Sequence, residues 1–229
     1  MNLLVIRHGE SEADLLDVHE GRADFALTER GHRQAEAMAT YVSDNYNISK
    51  IYASTLTRAK QTAQHLSDKI GVSIVFDENL MEFNNGLLAG LPRAVVREKY
   101  PEVPDLPIDE AVYGQESQVE FRQRAENALA RVISESQADE IIAIVSHGGM
   151  INQLYRALFE MPIDCKFFFI YIVKPFFSNF FYSIKSFFFF ITFFGATCNS
   201  CNERIFYVHN TADTACRASI KFDELNVVK

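Results

Sequence analysis

The sequence predicts an α/β fold: a three-layer sandwich with a mostly parallel central sheet flanked by helices. Two observations predict it. Four short apolar runs, at 3–6 (LLVI), 50–54 (KIYAS), 72–76 (VSIVF) and 141–145 (IIAIV), are bounded by turn residues and read as strands buried in a sheet. Segments with apolar residues at helical spacing lie between them, and strands alternating with helices imply a layered fold around a parallel sheet.

Taken in order, the first strand runs straight into Arg7, His8, Gly9 and Glu10. The stretch LTERGHRQAEAMATYVSDNY follows, with Ala35, Met38, Ala39 and Val42 on one helical face. After the second strand, LTRAKQTAQHLSDKI sets Leu56, Ala59, Ala63, Leu66 and Ile70 on one face. The third strand leads to LMEFNNGLLAG, and YPEVPDLP at 100–107 carries three of the six prolines, which marks an irregular loop. A helix over QVEFRQRAENALARVISES precedes the fourth strand, and one over GGMINQLYRALFE follows it. NERIFYVHN and RASIKFDELN read as two closing strands.

A chain of 229 residues suits one globular domain, so 1–229 is read as a single unit with an insertion at 167–197. Residues 167–194 hold 13 of the 20 phenylalanines, the one low-complexity segment. Lys174, Pro175 and Lys185 cut it into stretches shorter than the roughly 20 apolar residues of a membrane span. Its lysines are too few for a basic amphipathic face. Phe, Ile, Lys, Asn, Tyr and Ser are also what A/T-rich DNA encodes, so a translated noncoding insertion is the third reading. No basic n-region with an apolar h-region opens the chain, and a cytoplasmic location is expected.

The net charge of −8, without clustered Lys and Arg, excludes a nucleic-acid surface. An anion would have to be held by a local cluster. The cysteines (Cys165, Cys198, Cys201, Cys216) crowd into the last third and make a poor disulfide framework. CNSC at 198–201 has the spacing of half a zinc site, but reduced thiols are the plainer reading, and no metal is expected.

Ligands of open α/β sheets gather at the carboxyl ends of strands. That rule collects Arg7, His8, Gly9 and Glu10 after the first strand, Ser54 to Arg58 after the second, and Ser146, His147, Gly148 and Gly149 after the fourth. Alone, each has a plain structural reading: a histidine satisfied at a strand end, an arginine on a helix surface, a histidine in a turn. Together, two arginines and two histidines suit a phosphoryl dianion, because guanidinium forks match phosphate oxygens. His8 could still be metal ligand, base or nucleophile.

The motifs resemble those of the histidine phosphatase superfamily, in its branch shared with cofactor-dependent phosphoglycerate mutases. IRHGES, ALTERGHRQA, YASTLTRAKQTA, LMEFNNGLLAG and VSHGGMI are similar to its ordered elements, over about residues 2–160. The resemblance implies a phosphoglycerate mutase-like fold. It implies that His8 is the nucleophile that becomes phosphohistidine, that Arg7, Arg58 and His147 hold the phosphoryl oxygens, and that Glu82 is the proton donor. Asp14, Glu20, Gly21 and Gly148 are the expected substrate-binding residues. Asp14 and Glu20 depart from the pattern, standing where many members have Asn and an amide, and two added carboxylates beside an anion site weaken its affinity unless they face away. Gly86 and Gly90 are read as letting the loop close over substrate.

The expected activity is a metal-independent phosphatase on a small phosphorylated metabolite, with no cofactor, because the long basic insertion of the mutases is missing. The alternatives are a phosphoglycerate mutase and a noncatalytic, membrane-associated phosphate-binding protein. The sequence carries no signal for oligomeric state.

Overall fold

A computed structural model describes residues 1–163. Its elements are β1 (Asn2–Arg7), α1 (Glu12–Leu16), α2 (Glu29–Asn45), β2 (Ile48–Ser54), α3 (Thr57–Ile70), β3 (Ile74–Asp77), two 3-10 turns (Glu78–Leu80 and Gly86–Leu88), α4 (Arg93–Lys99), α5 (Gln118–Ser134), β4 (Ile141–Ser146) and α6 (Gly148–Leu158). The two expected closing strands, the Phe-rich segment and all four cysteines lie outside the described residues. Among the described residues, no helix is long and apolar enough to cross a membrane.

The four strands form one parallel sheet in the order β1-β4-β2-β3. Side chains alternate between the faces of a strand, and β4 shows both faces buried. Ile142 and Ile144 join Val5, Tyr52 and the α5 and α6 residues Phe121, Ala125, Leu129, Met150 and Leu154 in one core. Ala143 and Val145 join Ile6, Ile51, Ala53 and the α2 and α3 residues Met38, Val42, Ala63 and Leu66 in the other. The expected three layers are therefore α5 and α6, the sheet, and α2 and α3. Ala39, Ala59, Ala63 and Ala143 give the second core small side chains among its Met, Val, Ile and Leu residues.

Local signals fix where helices begin and end. Thr28 accepts the Gly31 N–H to cap α2, and Ser117 with Glu120 forms a capping box on α5. Gly71, at φ +74°, ends α3 in the left-handed conformation. Two short helices, α1 and α4, interrupt segments that carry no helical periodicity. A Val18–Pro92 bridge and the bond from Arg93 N–H to the Asp17 carbonyl tie them together.

Candidate active site

Register along the sheet brings the site together. Arg7 pairs with Ser146, and the His8 N–H donates to the Ser146 carbonyl at 3.0 Å, so His8 and His147 leave adjacent strands side by side. Their ring centroids are 5.0 Å apart. Ser54 ends the next strand over, where its hydroxyl lies 2.7 Å from His147 Nε2. Arg58 then enters from the first turn of α3. His8, Arg58 and His147 are 3%, 0% and 0% exposed, far more buried than charged or titratable side chains usually are.

The partners of His8 define its tautomer. Its Nδ1 is 2.7 Å from the Gly9 carbonyl, which can only accept, so Nδ1 carries the proton. Arg58 Nε–H donates to His8 Nε2 at 3.3 Å, which requires a lone pair there. Burial first, and the Arg7 and Arg58 guanidinium groups second, hold the His8 pKa well below its ordinary value of 6.5. Nε2 is thus an unprotonated nitrogen facing a guanidinium.

His147 is the N-cap of α6, and burial first, with the Arg58 and Arg7 guanidinium groups after it, holds its pKa well below 6.5 as well. Ser54 Oγ accepts the Leu56 N–H; where its hydroxyl donates to His147 Nε2, the proton of that ring sits on Nδ1. That Nδ1 is buried with no partner among the described residues. A buried ring nitrogen left unpaired is uncommon in a folded core. Gly148 opens α6 beside Arg7, and a Cβ there would meet Arg7 Nε at 4.0 Å, an ordinary contact.

Glu82 follows the first 3-10 turn. Its Oε2 accepts the Gly149 N–H and its Oε1 the Phe83 N–H, both at 2.8 Å. Only glycine permits the first bond, because a Cβ at position 149 would lie 2.4 Å from Glu82 Oε1. The backbone bearing Glu82 is held from α5. Arg124 grips both Glu116 oxygens and donates to the carbonyls of Asn79, Met81 and Glu82, while Arg22 donates to the same Glu82 carbonyl.

Of the expected substrate-binding residues, Glu20 reaches furthest in. Its Oε1 is 3.2 Å from Arg58 Nε, and its Oε2 is 4.0 Å from His8 Nε2. Asp14 accepts the Ser11 N–H at 2.9 Å and stands 4.0 Å from Arg7 Nη2. Gly21, at φ +47°, turns its carbonyl to Arg58 Nη2 at 2.7 Å, and a Cβ there would lie 2.5 Å from the Asn85 side chain. Gly90 is left-handed at φ +79°, but Gly86 is not a bare hinge. A Cβ on it would lie 2.3 Å from the backbone of Tyr113 and Gly114, so close packing requires the glycine.

Further polar residues hold the backbone around the site. Gln34 Oε1 accepts the Glu10 N–H at 2.8 Å, and Thr62 Oγ1 accepts the Gly9 N–H at 3.1 Å while donating to the Arg58 carbonyl. Gln61 Oε1 accepts the Leu27 N–H, and Asp24 accepts both the N–H and the hydroxyl of Thr57 at the start of α3. Gln34 and Thr62 replace sheet hydrogen bonds where the chain leaves β1, and so fix the loop that carries His8. Arg124 and Glu116 gave no signal in sequence beyond a helix-face charge and a loop acid. Among the described residues, no three His, Cys, Asp or Glu side chains are grouped so as to hold a metal.

The chain is similar to known proteins over about two thirds of its length. The chain is 32% identical over 165 residues to phosphoglycerate mutase-like protein 4 of Arabidopsis thaliana, covering 67% of this chain and 69% of that one. It is 28% identical over 168 residues to phosphoserine phosphatase 1 of Hydrogenobacter thermophilus, covering 72% and 79%. Among solved structures, mycobacterial glucosyl-3-phosphoglycerate phosphatase superposes with a TM-score of 0.62 at 29% identity, over 70% of this chain and 80% of that one. Alpha-ribazole phosphatase from Shigella flexneri does so with a TM-score of 0.63 at 28% identity, over 72% and 82%. The model of the histidine phosphatase superfamily (branch 1) matches residues 3–168, a span that takes in Arg7, His8, Arg58, Glu82 and His147, and the chain belongs to that superfamily.

Proposed function

We propose that the protein is a phosphatase that hydrolyses a small phosphomonoester through a phosphohistidine on His8. The observation that carries this reading is the protonation pattern of His8: a buried, neutral ring with its proton on Nδ1 and its Nε2 lone pair beside Arg58. A nucleophilic imidazole needs that tautomer, and a phosphoryl group needs that guanidinium.

The steps follow from the groups present. Substrate phosphate enters among Arg7, Arg58 and the Nδ1–H of His147, and negative charge draws it to the start of α6. His8 Nε2 attacks phosphorus and forms the N–P bond as the ester P–O bond breaks, while the guanidinium groups stabilise charge on the equatorial oxygens. The departing alkoxide takes a proton from the Glu82 carboxyl. Glu82, now a carboxylate, removes a proton from water, whose oxygen attacks phosphorus. The N–P bond breaks, inorganic phosphate leaves and His8 returns to its starting form. The proposed chemistry runs on these side chains with no metal or cofactor.

A phosphoglycerate mutase would share the first half and pass the phosphoryl group to a second phosphoglycerate. The name of the Arabidopsis relative keeps that reading in view, while the relatives named as phosphatases support hydrolysis. Purified protein given p-nitrophenyl phosphate should release inorganic phosphate with EDTA present. Conversion of 3-phosphoglycerate to 2-phosphoglycerate, primed by the bisphosphate and with little phosphate released, would overturn the assignment in favour of the mutase.

A further inference from the structure

The carboxylate of Glu20 lies inside the phosphoryl pocket itself. Glu20 reaches it from the turn before Gly21, where the Ala23 N–H donates to the Glu20 carbonyl at 2.8 Å. Its carboxylate makes the contacts expected of a phosphoryl group. Oε1 is 3.2 Å from the fully buried Arg58 Nε and accepts the Ser11 hydroxyl at 2.5 Å, and Oε2 lies 4.0 Å from the nucleophilic His8 Nε2. The side chain is only 18% exposed.

We infer that Glu20 is an internal anion seated in the phosphoryl subsite, where it competes with substrate phosphate for Arg58 and so determines which phosphoryl species the pocket accepts. The inference rests on the phosphatase reading of the pocket and adds a competitor to it. A dianion can enter only if the Glu20 carboxylate swings out or becomes neutral, since two like charges against one guanidinium repel strongly at this separation. An amide at this position would donate to a phosphate oxygen; the carboxylate can only accept.

The charges around Glu20 set how readily it becomes neutral. Arg58 faces it from α3, Arg7 from the end of β1, Asp14 from α1, and the neutral His8 ring from the loop after β1, while Glu82 and Asp24 share the field of Arg58. Burial raises the Glu20 pKa above its ordinary value, and Asp14 adds to this; Arg58, the Ser11 hydroxyl and Arg7 oppose it. Acidification therefore removes the competing charge before the other carboxylates in open solvent would lose theirs.

Inorganic sulfate tests this, because it keeps its double charge where phosphate does not. Equilibrium binding of sulfate is measured by calorimetry on wild type, Glu20→Gln and Glu20→Ala at about pH 5.5 and about pH 8. The expected result is that wild type binds sulfate more tightly at the lower pH, and that both variants bind at least about tenfold more tightly than wild type at the higher pH. Agreement of the two variants separates lost charge from altered shape, and circular dichroism of each checks that it folds. Equal sulfate affinity in wild type and both variants at both pH values overturns the Glu20 inference and leaves the pocket intact as an anion site. Failure of all three proteins to bind sulfate overturns the Glu20 inference and the pocket reading together.

Discussion

Replacing Gly149 with alanine separates the proton donor from the rest of the machinery. An added Cβ would stand 2.4 Å from Glu82 Oε1, 3.1 Å from its Cδ and 3.3 Å from Oε2, where ordinary contact begins at 3.4 Å. The carboxylate must retreat by roughly 1 Å, a shift that can lower a rate about 100-fold when it displaces a reacting group. It also gives up the Gly149 N–H bond at 2.8 Å. A 100-fold loss corresponds to about 2.7 kcal/mol of transition-state stabilisation, within the range general acid catalysis supplies. The fold should tolerate the change, because the obstructed atoms end a flexible side chain and alanine is the better helix former by about 1 kcal/mol. The assay compares kcat/KM for p-nitrophenyl phosphate, whose leaving group needs little help, with that for an alkyl phosphate, whose leaving group needs a proton. The alkyl ester should lose about 100-fold and the aryl ester about tenfold or less. Equal losses on both, or none on either, would refute the role given to Glu82 and the reason given for glycine at 149.

Other expectations concern what holds the site. Thr62→Val removes the acceptor of the Gly9 N–H without changing shape, and should cost about 1–3 kcal/mol in urea unfolding together with a fall in kcat. Arg124→Gln frees the Glu82 segment from α5 and leaves the buried Glu116 with only Arg22 and the Asn84 N–H beside it among the described residues. It should cost about 3 kcal/mol of stability and lower turnover of alkyl esters more than of aryl esters. Stability should also fall on acidification. In the unfolded chain His8 and His147 take up protons near 6.5, whereas in the folded protein both do so only well below it. Between those limits the unfolded state binds more protons, so its free energy drops as pH falls and folding loses stability throughout that window. Urea midpoints at about pH 7.5 and about pH 5.5 should show the loss, and His147→Asn should show less of it.

The parts of this protein that follow local rules were legible in its sequence. The four strands and four long helices have periodicities that burial of both sheet faces enforces, and strand ends in a parallel sheet gather Arg7, His8, Arg58 and His147 whatever the loops do. What was not legible depends on partners far along the chain. α1 and α4 carry no amphipathic period and are anchored by bonds between Asp17, Val18, Pro92 and Arg93. Gln34 and Thr62 stood within the quoted motifs, but their task of satisfying the N–H groups of Glu10 and Gly9 exists only once α2 and α3 pack beside β1. Arg124 is one arginine among several on α5, and its grip on the Glu82 segment depends on the 3-10 turn after β3. Gly86 is left-handed at φ +52°, and it also packs against Tyr113 and Gly114, a contact 27 or more residues along the chain. Glu20 was recognisable as an unusual acid, yet only geometry aims it at Arg58 rather than at solvent.

The central claim is that phosphorus becomes bonded to His8. Rapid quenching of the enzyme during turnover, under alkaline conditions that preserve phosphohistidine, followed by peptide mass spectrometry, tests it most directly. The account predicts a phosphate on the peptide containing His8, lost on brief acid treatment, and neither phosphate nor turnover in His8→Ala. Phosphate trapped on another residue, or turnover retained by His8→Ala, would contradict it.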